Sequence, residues 1–356
     1  MRKSKTQPLF YFALTLALAV RFYLQFLARP EWLGFWDNFD GTHYIEMAQF
    51  GYQSNLTQVF FPFYPFLIRL VNFITQNRLW SGLIISHLSF IGFLYFFIKL
   101  GLLDYSKKTI RWALIFLILF PTSFFFFSLY TESLFLFLAA AVFYLSRQKK
   151  FWLASILAGL ASITSLVGIF LLPAILWEYW QTTKKPRLLT LTGLSLFSAS
   201  GLIYHLKFLS RQFGDYSILI HSQPGTGVGQ AIDKLVMPYQ VIFRYLKMLT
   251  TISPQNQTYP VLAFEFFISL SFIGLIIWAL VKKFRSSYLL FLIPAFFLPT
   301  FTGSFSSMPR YALAAFPLFY LLGNLKSKPI KLLLTLIFLS LLSWSFIRFS
   351  QGYWVS

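Results

Sequence analysis

Long apolar runs, separated by short clusters of lysine and arginine, dominate this sequence and restrict it to few folds. A helix needs about 20 mostly apolar residues to cross a bilayer, and the first run, from Leu9 to Ala28, has that length. Hydrophobic residues make up 57% of the 356 and charged residues only 11%, whereas soluble globular proteins average about 45–50% and about 25%. The sequence therefore predicts an all-α polytopic membrane protein, with residues 1–356 forming a single integral membrane domain.

About eleven apolar stretches are candidates for transmembrane helices, because a span can be short or broken where it lies inside a helix bundle. They are residues 8–28, 79–100, 110–127, 132–146, 151–164, 166–181, 188–207, 260–281, 288–302, 310–325 and 330–348. The first stretch follows a basic N-terminus but lacks a small-residue cleavage site. It is therefore interpreted as a retained signal-anchor helix rather than a cleaved signal peptide.

The basic residues predict the orientation of the chain. Thirty Lys and Arg against ten Asp and Glu give a formal net charge of +20, and the positive charges form six clusters between the apolar stretches. The clusters are Arg2/Lys3/Lys5, Lys107/Lys108/Arg111, Arg147/Lys149/Lys150, Lys184/Lys185/Arg187, Lys282/Lys283/Arg285 and Lys326/Lys328/Lys331. They fall at every second inter-helix position, so the positive-inside rule predicts a cytoplasmic N-terminus. Clusters between spans do not form the solvated basic face of a nucleic-acid domain, so no nucleic-acid partner is expected.

This orientation leaves two long segments on the outer face, residues 29–78 and 208–259. The first is rich in tryptophan and tyrosine, namely Trp32, Trp36, Tyr44, Tyr52 and Tyr64. It also contains a stretch from Phe60 to Ile74, broken by Pro62 and Pro65, that is predicted to be an interfacial helix. The second segment contains the glycine-rich run Pro224–Gly229, which predicts a mobile loop that covers a site.

Most acidic residues share the outer face. Seven of the ten are assigned there, namely Glu31, Asp37, Asp40, Glu46, Glu132, Asp215 and Asp233. A helix that starts near Asp40 would make this residue a cap or a first-turn acid, with His43 one turn later on the same face. The alternative interpretation is a general base beside the aromatic residues of the interface.

Two further charged residues are predicted at outer turns. Glu132 follows Tyr130-Thr131 between two short apolar stretches, and Arg310 begins another stretch. A glutamate at a helix start can simply compensate the helix dipole, whereas an arginine there is unfavourable for the dipole. Arg310 therefore needs an anionic partner, and a phosphate head group is a natural one.

Cysteine and histidine usage bears on metal sites. The chain has no cysteine, and its four histidines, at 43, 87, 205 and 221, show no HxxxH spacing and no other dense cluster. This pattern predicts neither a metal site nor a bound cofactor.

The outer segments together resemble the PIG-V mannosyltransferases, which belong to the C-type (GT-C) glycosyltransferase superfamily. The matching pieces are Phe39-Asp-Gly-Thr-His-Tyr44 with Gly51-Tyr52, Phe60-Phe-Pro-Phe-Tyr-Pro65, Pro121-Thr-Ser-Phe-Phe-Phe with Tyr130-Thr-Glu-Ser-Leu-Phe135, and Arg310-Tyr311 with Phe316-Pro317. They extend over residues 36–320. In place of the Arg-Pro pair that members often carry near the fifth helix, this chain has Thr164-Ser-Leu-Val-Gly168.

The resemblance implies a role for each matching residue. Asp40 is expected to be the catalytic base, with Asp37 as the neighbouring acid that could act instead. The expected substrate-binding residues are Asp37, His43, Tyr44, Tyr64, Glu132, Arg310 and Tyr311, and Arg310 is expected to contact the donor phosphate. The donor would be a polyprenyl- or dolichyl-phosphate sugar, the acceptor a hydroxyl of a glycolipid or glycan, and the transfer inverting.

Two interpretations from other classes remain open. A transporter or flippase of a lipid-linked solute would carry charged residues near the membrane midplane. A structural membrane protein would keep Asp40, Glu132 and Arg310 far apart. The membrane would be the plasma membrane in a prokaryote, which is favoured, or that of the endoplasmic reticulum in a eukaryote.

Overall fold

The computed structural model describes residues 6–28, 34–53, 57–214 and 236–355. Within these ranges the chain forms α-helices, short 3₁₀ segments and turns, with no β-strand. The helices are α1 (Gln7–Leu27), α2 (Asp40–Phe50), α3 (Phe63–Thr75), α4 (Arg78–Gly101), α5 (Lys107–Ile118), α6 (Glu132–Arg147), α7 (Phe151–Ser162), α8 (Leu171–Thr182), α9 (Leu188–Phe213), α10 (Pro238–Thr251), α11 (Tyr259–Val281), α12 (Ser286–Phe297), α13 (Met308–Tyr311), α14 (Leu318–Gly323) and α15 (Lys328–Ser350). The all-α prediction is confirmed.

Five of the described helices, α1, α4, α9, α11 and α15, are long and apolar enough to cross a membrane. They give the chain the character of a membrane protein. The other six predicted stretches also contain helix, but there the helices are shorter or broken. The number of eleven crossings therefore stays a prediction.

Prolines account for several of the breaks. Proline lacks an N–H group and clashes with the preceding helical turn, so it interrupts a helix from within. Helix α5 ends three residues before Pro121, and a 3₁₀ turn at Ser123–Phe126 follows. Helix α12 contains Pro294 and passes into a 3₁₀ turn at Leu298–Thr302. The stretch predicted at 310–325 is itself divided into α13, a 3₁₀ turn and α14.

The bundle has an aromatic interior and an apolar exterior. Phe93, Phe97, Phe126 and Tyr320 are fully buried, and ring pairs such as Phe97–Tyr320, with centroids 4.4 Å apart, stack within the core. Peripheral helices instead expose apolar side chains, of which Phe26 in α1 is 82% exposed. Such exposure is expected of helices that face lipid rather than water.

Two glycines allow helices α7 and α9 to approach each other closely. Gly159 of α7 and Gly201 of α9 meet so closely that a Cβ atom at Gly201 would overlap the Gly159 carbonyl oxygen. Small residues allow such backbone approach between membrane helices, where packing rather than hydrophobic burial drives association.

The described residues of the first outer segment include the helices α2 and α3. Helix α3 occupies the stretch predicted to lie at the interface, burying Ile68 while Phe73 and Ile74 are exposed. Arg69 Nε donates to the Ala48 carbonyl oxygen at 2.9 Å and thereby joins α3 to the C-terminal end of α2. Cations are favourable at a helix C-terminus because carbonyl groups there lack helical partners.

The second outer segment, residues 208–259, is not a single loop, because helices occupy part of its described residues. Helix α9 continues to Phe213, and α10 begins at Pro238. The glycine-rich run at 224–229, predicted to cover the site, lies outside the described residues, as do Glu31, Trp32, Asp215 and Asp233.

Candidate active site

Three charged residues from distant parts of the chain meet at helix starts. Asp40 is the first residue of α2, Glu132 is the first residue of α6, and Arg310 lies in the short helix α13. Arg310 Nη1 donates to Asp40 Oδ2 at 2.6 Å, and Arg310 Nε lies 3.3 Å from Glu132 Oε1. The predicted base, the second acid and the late arginine thus form one cluster, called here the charged triad.

The charged triad is largely shielded from solvent. The Arg310 side chain is 8% exposed, that of Glu132 14% and that of Asp40 20%. Burial weakens the screening of such pairs and makes each unpaired charge costly. With Asp40 and Glu132 ionised, one guanidinium faces two carboxylates. The sequence predicted an anionic partner for Arg310, and in the structure that partner is supplied by the chain itself.

One carboxylate oxygen of Glu132 could accept a further hydrogen bond. Its Oε2 atom is buried and has no donor among the residues that the structure describes. The contact of its Oε1 with Arg310 Nε is an ion pair without hydrogen-bond geometry, since Nε is also without a hydrogen-bond partner there. A buried carboxylate oxygen is seldom left without a donor, so Glu132 is suited to accept one from a ligand hydroxyl.

Aromatic rings enclose the guanidinium group of Arg310. Its Cζ atom lies 5.5 Å from the ring centroid of Phe125, 5.4 Å from that of Tyr130 and 5.1 Å from that of Tyr311. Arg310 Nη2 also donates to the Tyr311 hydroxyl at 3.3 Å. These contacts combine cation–π attraction with shielding from water, and they fix the plane of the guanidinium.

The turn before Asp40 is strained and tied down at both sides. Phe39 has φ 59° and ψ −116°, a conformation that a side-chain-bearing residue rarely adopts. The neighbouring Asn38 accepts a hydrogen bond at its carbonyl oxygen from the Tyr130 hydroxyl at 2.7 Å. Its side-chain amide donates to the Phe349 carbonyl oxygen at 2.8 Å. Strain of about 1–3 kcal/mol persists only where surrounding contacts enforce it, so the position of Asp40 is determined by its neighbours.

Gly41 allows the start of α2 to approach the turn before α6. A Cβ atom at this position would lie 3.3 Å from the Leu129 carbonyl oxygen and 3.2 Å from the Asp37 Cβ atom. On the same side, the Leu129 N–H donates to the Trp36 carbonyl oxygen at 2.9 Å. A side chain at Gly41 would therefore push Asp40 away from Glu132.

Two tyrosines of the first outer segment lie behind the charged triad. Tyr44 is buried, and its pKa is raised, first by that burial and then by the charges of Asp40 and Glu132. Its phenol therefore stays neutral. The Tyr64 ring lies 5.2 Å from that of Tyr44, and the Tyr64 hydroxyl contacts Gly82 and Ser86. Tyr64 is fully buried, and its substrate-binding role stays a prediction.

Two predicted site residues are placed outside these contacts. His43 Nδ1 lies 3.4 Å from Glu46 Oε2 on the exposed side of α2, and its ring is 5.4 Å from that of Phe60. Asp37 is half-buried, and this desolvation raises the pKa of its carboxyl above the usual value. The acid bonded to Arg310 is Asp40.

Several residues of the site were not predicted from the sequence. Tyr130 lay in one of the motifs quoted above, but its hydrogen bond to the Asn38 carbonyl oxygen could be identified only from the structure. Phe349 and Trp354 had no sequence signal at all, although the Trp354 ring packs 5.1 Å from that of Phe39. Among the described residues no group of three or more histidine, cysteine or acidic side chains could hold a metal ion.

Comparison of the chain with protein-family models, with curated proteins and with solved structures found no match. The resemblance to PIG-V mannosyltransferases therefore stays a prediction that rests on the quoted motifs.

Proposed function

We propose that this chain is a membrane glycosyltransferase that moves a hexose, with mannose favoured, from a polyprenyl- or dolichyl-phosphate sugar to a hydroxyl of a glycolipid or other glycan acceptor. The observation that carries the proposal is the charged triad. Asp40 and Arg310 are 270 residues apart in the chain and are hydrogen-bonded at 2.6 Å. A purely structural protein was expected to keep these residues apart, so their contact argues against that alternative.

Asp40 is proposed as the general base. Arg310 occupies its Oδ2 atom and leaves Oδ1 as the oxygen that accepts a proton. The acceptor hydroxyl attacks the anomeric carbon from the face opposite the phosphate, its proton passes to Asp40, and the carbon–oxygen bond to phosphate breaks. The bonding electrons leave with the phosphate oxygen, so the anomeric configuration inverts. A single carboxylate suffices as base for this displacement.

The charge balance assigns a role to Arg310. When Asp40 takes up a proton it becomes neutral, and Arg310 loses one of its two anionic partners. At the same moment the leaving phosphate gains one negative charge. Arg310 can then stabilise that charge, as preorganised cations do where charge develops in a transition state. In this proposal Arg310 orients the base before transfer and contacts the phosphate after it.

Glu132 and Tyr311 are proposed to bind the sugar or the acceptor. The free oxygen of Glu132 can accept a hydrogen bond from a sugar hydroxyl, and the Tyr311 ring offers a partly exposed aromatic face. Tyrosine and tryptophan also favour the interface between membrane and water, where a lipid-linked donor presents its sugar. Membrane lipids, the lipid-phosphate donor and the acceptor are therefore the proposed partners.

The contacts of the triad also support eleven crossings. Asp40 precedes the long helix α4, and Glu132 follows α5, so their proximity requires α5 to cross back. Arg310 follows the long helix α11, so α12 must cross back for Arg310 to lie on the same side as Asp40. The Phe63 N–H donates to the Ile163 carbonyl oxygen at 3.4 Å, which brings the turn between α7 and α8 to the same side. We propose that this side is the outer or lumenal face and that the N-terminus is cytoplasmic.

The test is transfer by membranes that contain the full chain and are supplied with polyprenyl-phosphate mannose and a glycolipid acceptor. Replacing Asp40 by Asn removes the base and is expected to reduce the rate by about 10²–10⁴-fold. Asp37→Asn is the matched control, because Asp37 lies three residues earlier and is not bonded to Arg310. Undiminished transfer by Asp40→Asn, with loss in Asp37→Asn, would assign the base to Asp37 instead.

The transporter remains the second candidate. Its expected charged residues lie near the midplane, whereas the charged triad lies at the ends of α2 and α6. Movement of labelled polyprenyl-phosphate mannose across proteoliposomes, without any covalent product, would favour transport and contradict the transferase.

A further inference from the structure

A second buried acid lies apart from the charged triad. Glu265 belongs to the long helix α11, and only 3% of it is exposed. The Tyr245 hydroxyl of α10 donates to Glu265 Oε2 at 2.7 Å. A carboxyl group within an apolar helix is expensive to bury, and such residues commonly have a function. The reaction proposed above makes no use of Glu265.

The contacts of Glu265 lead to the segment that precedes Arg310. The Tyr245 hydroxyl accepts a hydrogen bond from the Phe305 N–H at 3.1 Å and lies 3.2 Å from Ser304 Oγ. The Tyr245 phenol, itself bonded to Glu265, thus contacts two residues of the segment from Gly303 to Ser307. This segment leads into Arg310 and is called here the arginine-bearing turn.

This turn contains a residue in a strained backbone conformation, which persists where surrounding contacts enforce it. Ser307 has φ 62°, the left-handed conformation that costs energy in residues with a side chain. Immediately after it, the Arg310 N–H donates to the Ser307 carbonyl oxygen at 3.0 Å. The strained residue is therefore bonded directly to the backbone of Arg310.

The other end of the turn is fixed by a neighbouring side chain. Arg244 Nη1 donates to the Gly303 carbonyl oxygen at 2.6 Å. Further along, Thr122 Oγ1 donates to the Pro309 carbonyl oxygen at 2.8 Å. Glu265 and Tyr245 supply the support between these two ends, where no helix continues through the turn.

We propose that Glu265, acting through Tyr245, is a positioning residue that holds the arginine-bearing turn so that Arg310 reaches Asp40 and Glu132. The hydrogen bonds on which this rests are present whatever reaction the site performs. Its consequence for catalysis rests on the proposed glycosyl transfer, so the two are tested by separate measurements.

The first measurement follows the order of the turn by the reactivity of a single cysteine. The chain has no cysteine of its own, so Ser306→Cys introduces a unique thiol at a half-buried position of the turn. In the purified full chain, Glu265→Ala is expected to speed maleimide labelling of this thiol about tenfold, because the hydrogen bond that orients the Tyr245 hydroxyl is lost. Tyr245→Phe, which removes only a hydroxyl, is expected to act in the same direction.

Two further variants separate positioning from general damage. Glu265→Gln keeps one carbonyl oxygen for the Tyr245 hydroxyl, so it is expected to label at an intermediate rate. Ser269→Ala is the matched control, since its buried hydroxyl lies one turn along α11 and bonds only the Glu265 backbone carbonyl. Wild-type labelling rates in both Glu265→Ala and Tyr245→Phe would overturn the proposal.

The second measurement is transfer from polyprenyl-phosphate mannose. Glu265→Ala and Arg310→Ala are expected to be non-additive, so that the double variant transfers no more slowly than Arg310→Ala alone. Additive losses would show that Glu265 acts independently of Arg310 and would also overturn the proposal. Faster labelling in a chain whose wild type transfers no sugar would instead refute the proposed function and leave the positioning role standing.

Discussion

At the scale of single residues, Arg310 joins the segments that form the site. Its guanidinium group contacts Asp40 from α2 and Glu132 from α6, and it is enclosed by the rings of Phe125 and Tyr130. A buried cation between two acids is not by itself a gain in stability, because desolvation offsets much of the attraction. Its removal, however, leaves two carboxylates without their counter-charge.

We therefore expect Arg310→Met to lower stability by about 3–5 kcal/mol, the usual result of breaking a buried ion pair from one side. Arg310→Lys keeps the charge but not the planar fork of N–H groups, so its loss should be smaller. Thermal unfolding of the purified chain in detergent measures both.

The matched control is Arg348→Met, because Arg348 lies at the end of α15 and stacks on Trp344 and Tyr353. Adding Asp40→Asn and Glu132→Gln to Arg310→Met should restore part of the loss, since no buried charge then remains. An Arg310→Met variant as stable as the wild type would contradict the view that this ion pair holds the three segments together.

At the scale of elements, the end of α15 shapes the start of α2. Phe39 packs between Phe349 and Trp354, with centroid distances of 5.9 and 5.1 Å, and Asn38 is bonded to the Phe349 carbonyl oxygen. These contacts offset the strain at Phe39. The last described residues thereby help to position Asp40, more than 300 residues earlier in the chain.

Trp354→Ala is therefore expected to loosen the turn before Asp40. An aromatic pair contributes about 0.5–1.5 kcal/mol, so if the loss appears in the transition state the rate of transfer should fall by about 2- to 10-fold. The measurement is the initial rate with polyprenyl-phosphate mannose, with thermal unfolding alongside it.

Tyr353→Ala is the control for this variant, because Tyr353 stacks on Arg348 instead of Phe39. Equal rate losses in the two variants would mean that the end of the chain acts through general stability and not through Phe39.

The elements also show what the sequence could and could not predict. Apolar length predicted the five long helices, and prolines such as Pro121 and Pro294 lay where helices break. The pairing within the charged triad could not be predicted from apolar length, because hydropathy carries no information about which acid contacts Arg310 across 270 residues. Glu265 gave a usable signal as an acid in an apolar helix, but its partner Tyr245 lies on α10, which only the fold brings alongside.

At the scale of the whole molecule, the contacts of the triad and the lengths of the helices give different numbers of crossings. If only the five long helices crossed, the chain between α11 and α15 would lie on the cytoplasmic side, and Arg310 with it. Asp40, between α1 and α4, would lie outside. In that arrangement the bilayer would separate Asp40 from Arg310, so their ion pair favours our proposal of eleven crossings.

We therefore expect the arginine-bearing turn to be accessible from outside. In spheroplasts or sealed vesicles of known orientation, a membrane-impermeant maleimide should label Ser306→Cys, given time for its half-buried thiol to react, and Gln255→Cys in the exposed turn before α11. Gln148→Cys, exposed after α6, should react only once the membrane is permeabilised, because the orientation that we propose places its basic cluster in the cytoplasm. Five and eleven crossings place Gln148 on the same side of the membrane, and likewise Gln255, so these two positions serve as internal controls. The two numbers of crossings place Ser306 on opposite sides. Labelling of Ser306→Cys only after permeabilisation would place Arg310 on the inner side, contradict eleven crossings and separate Arg310 from Asp40.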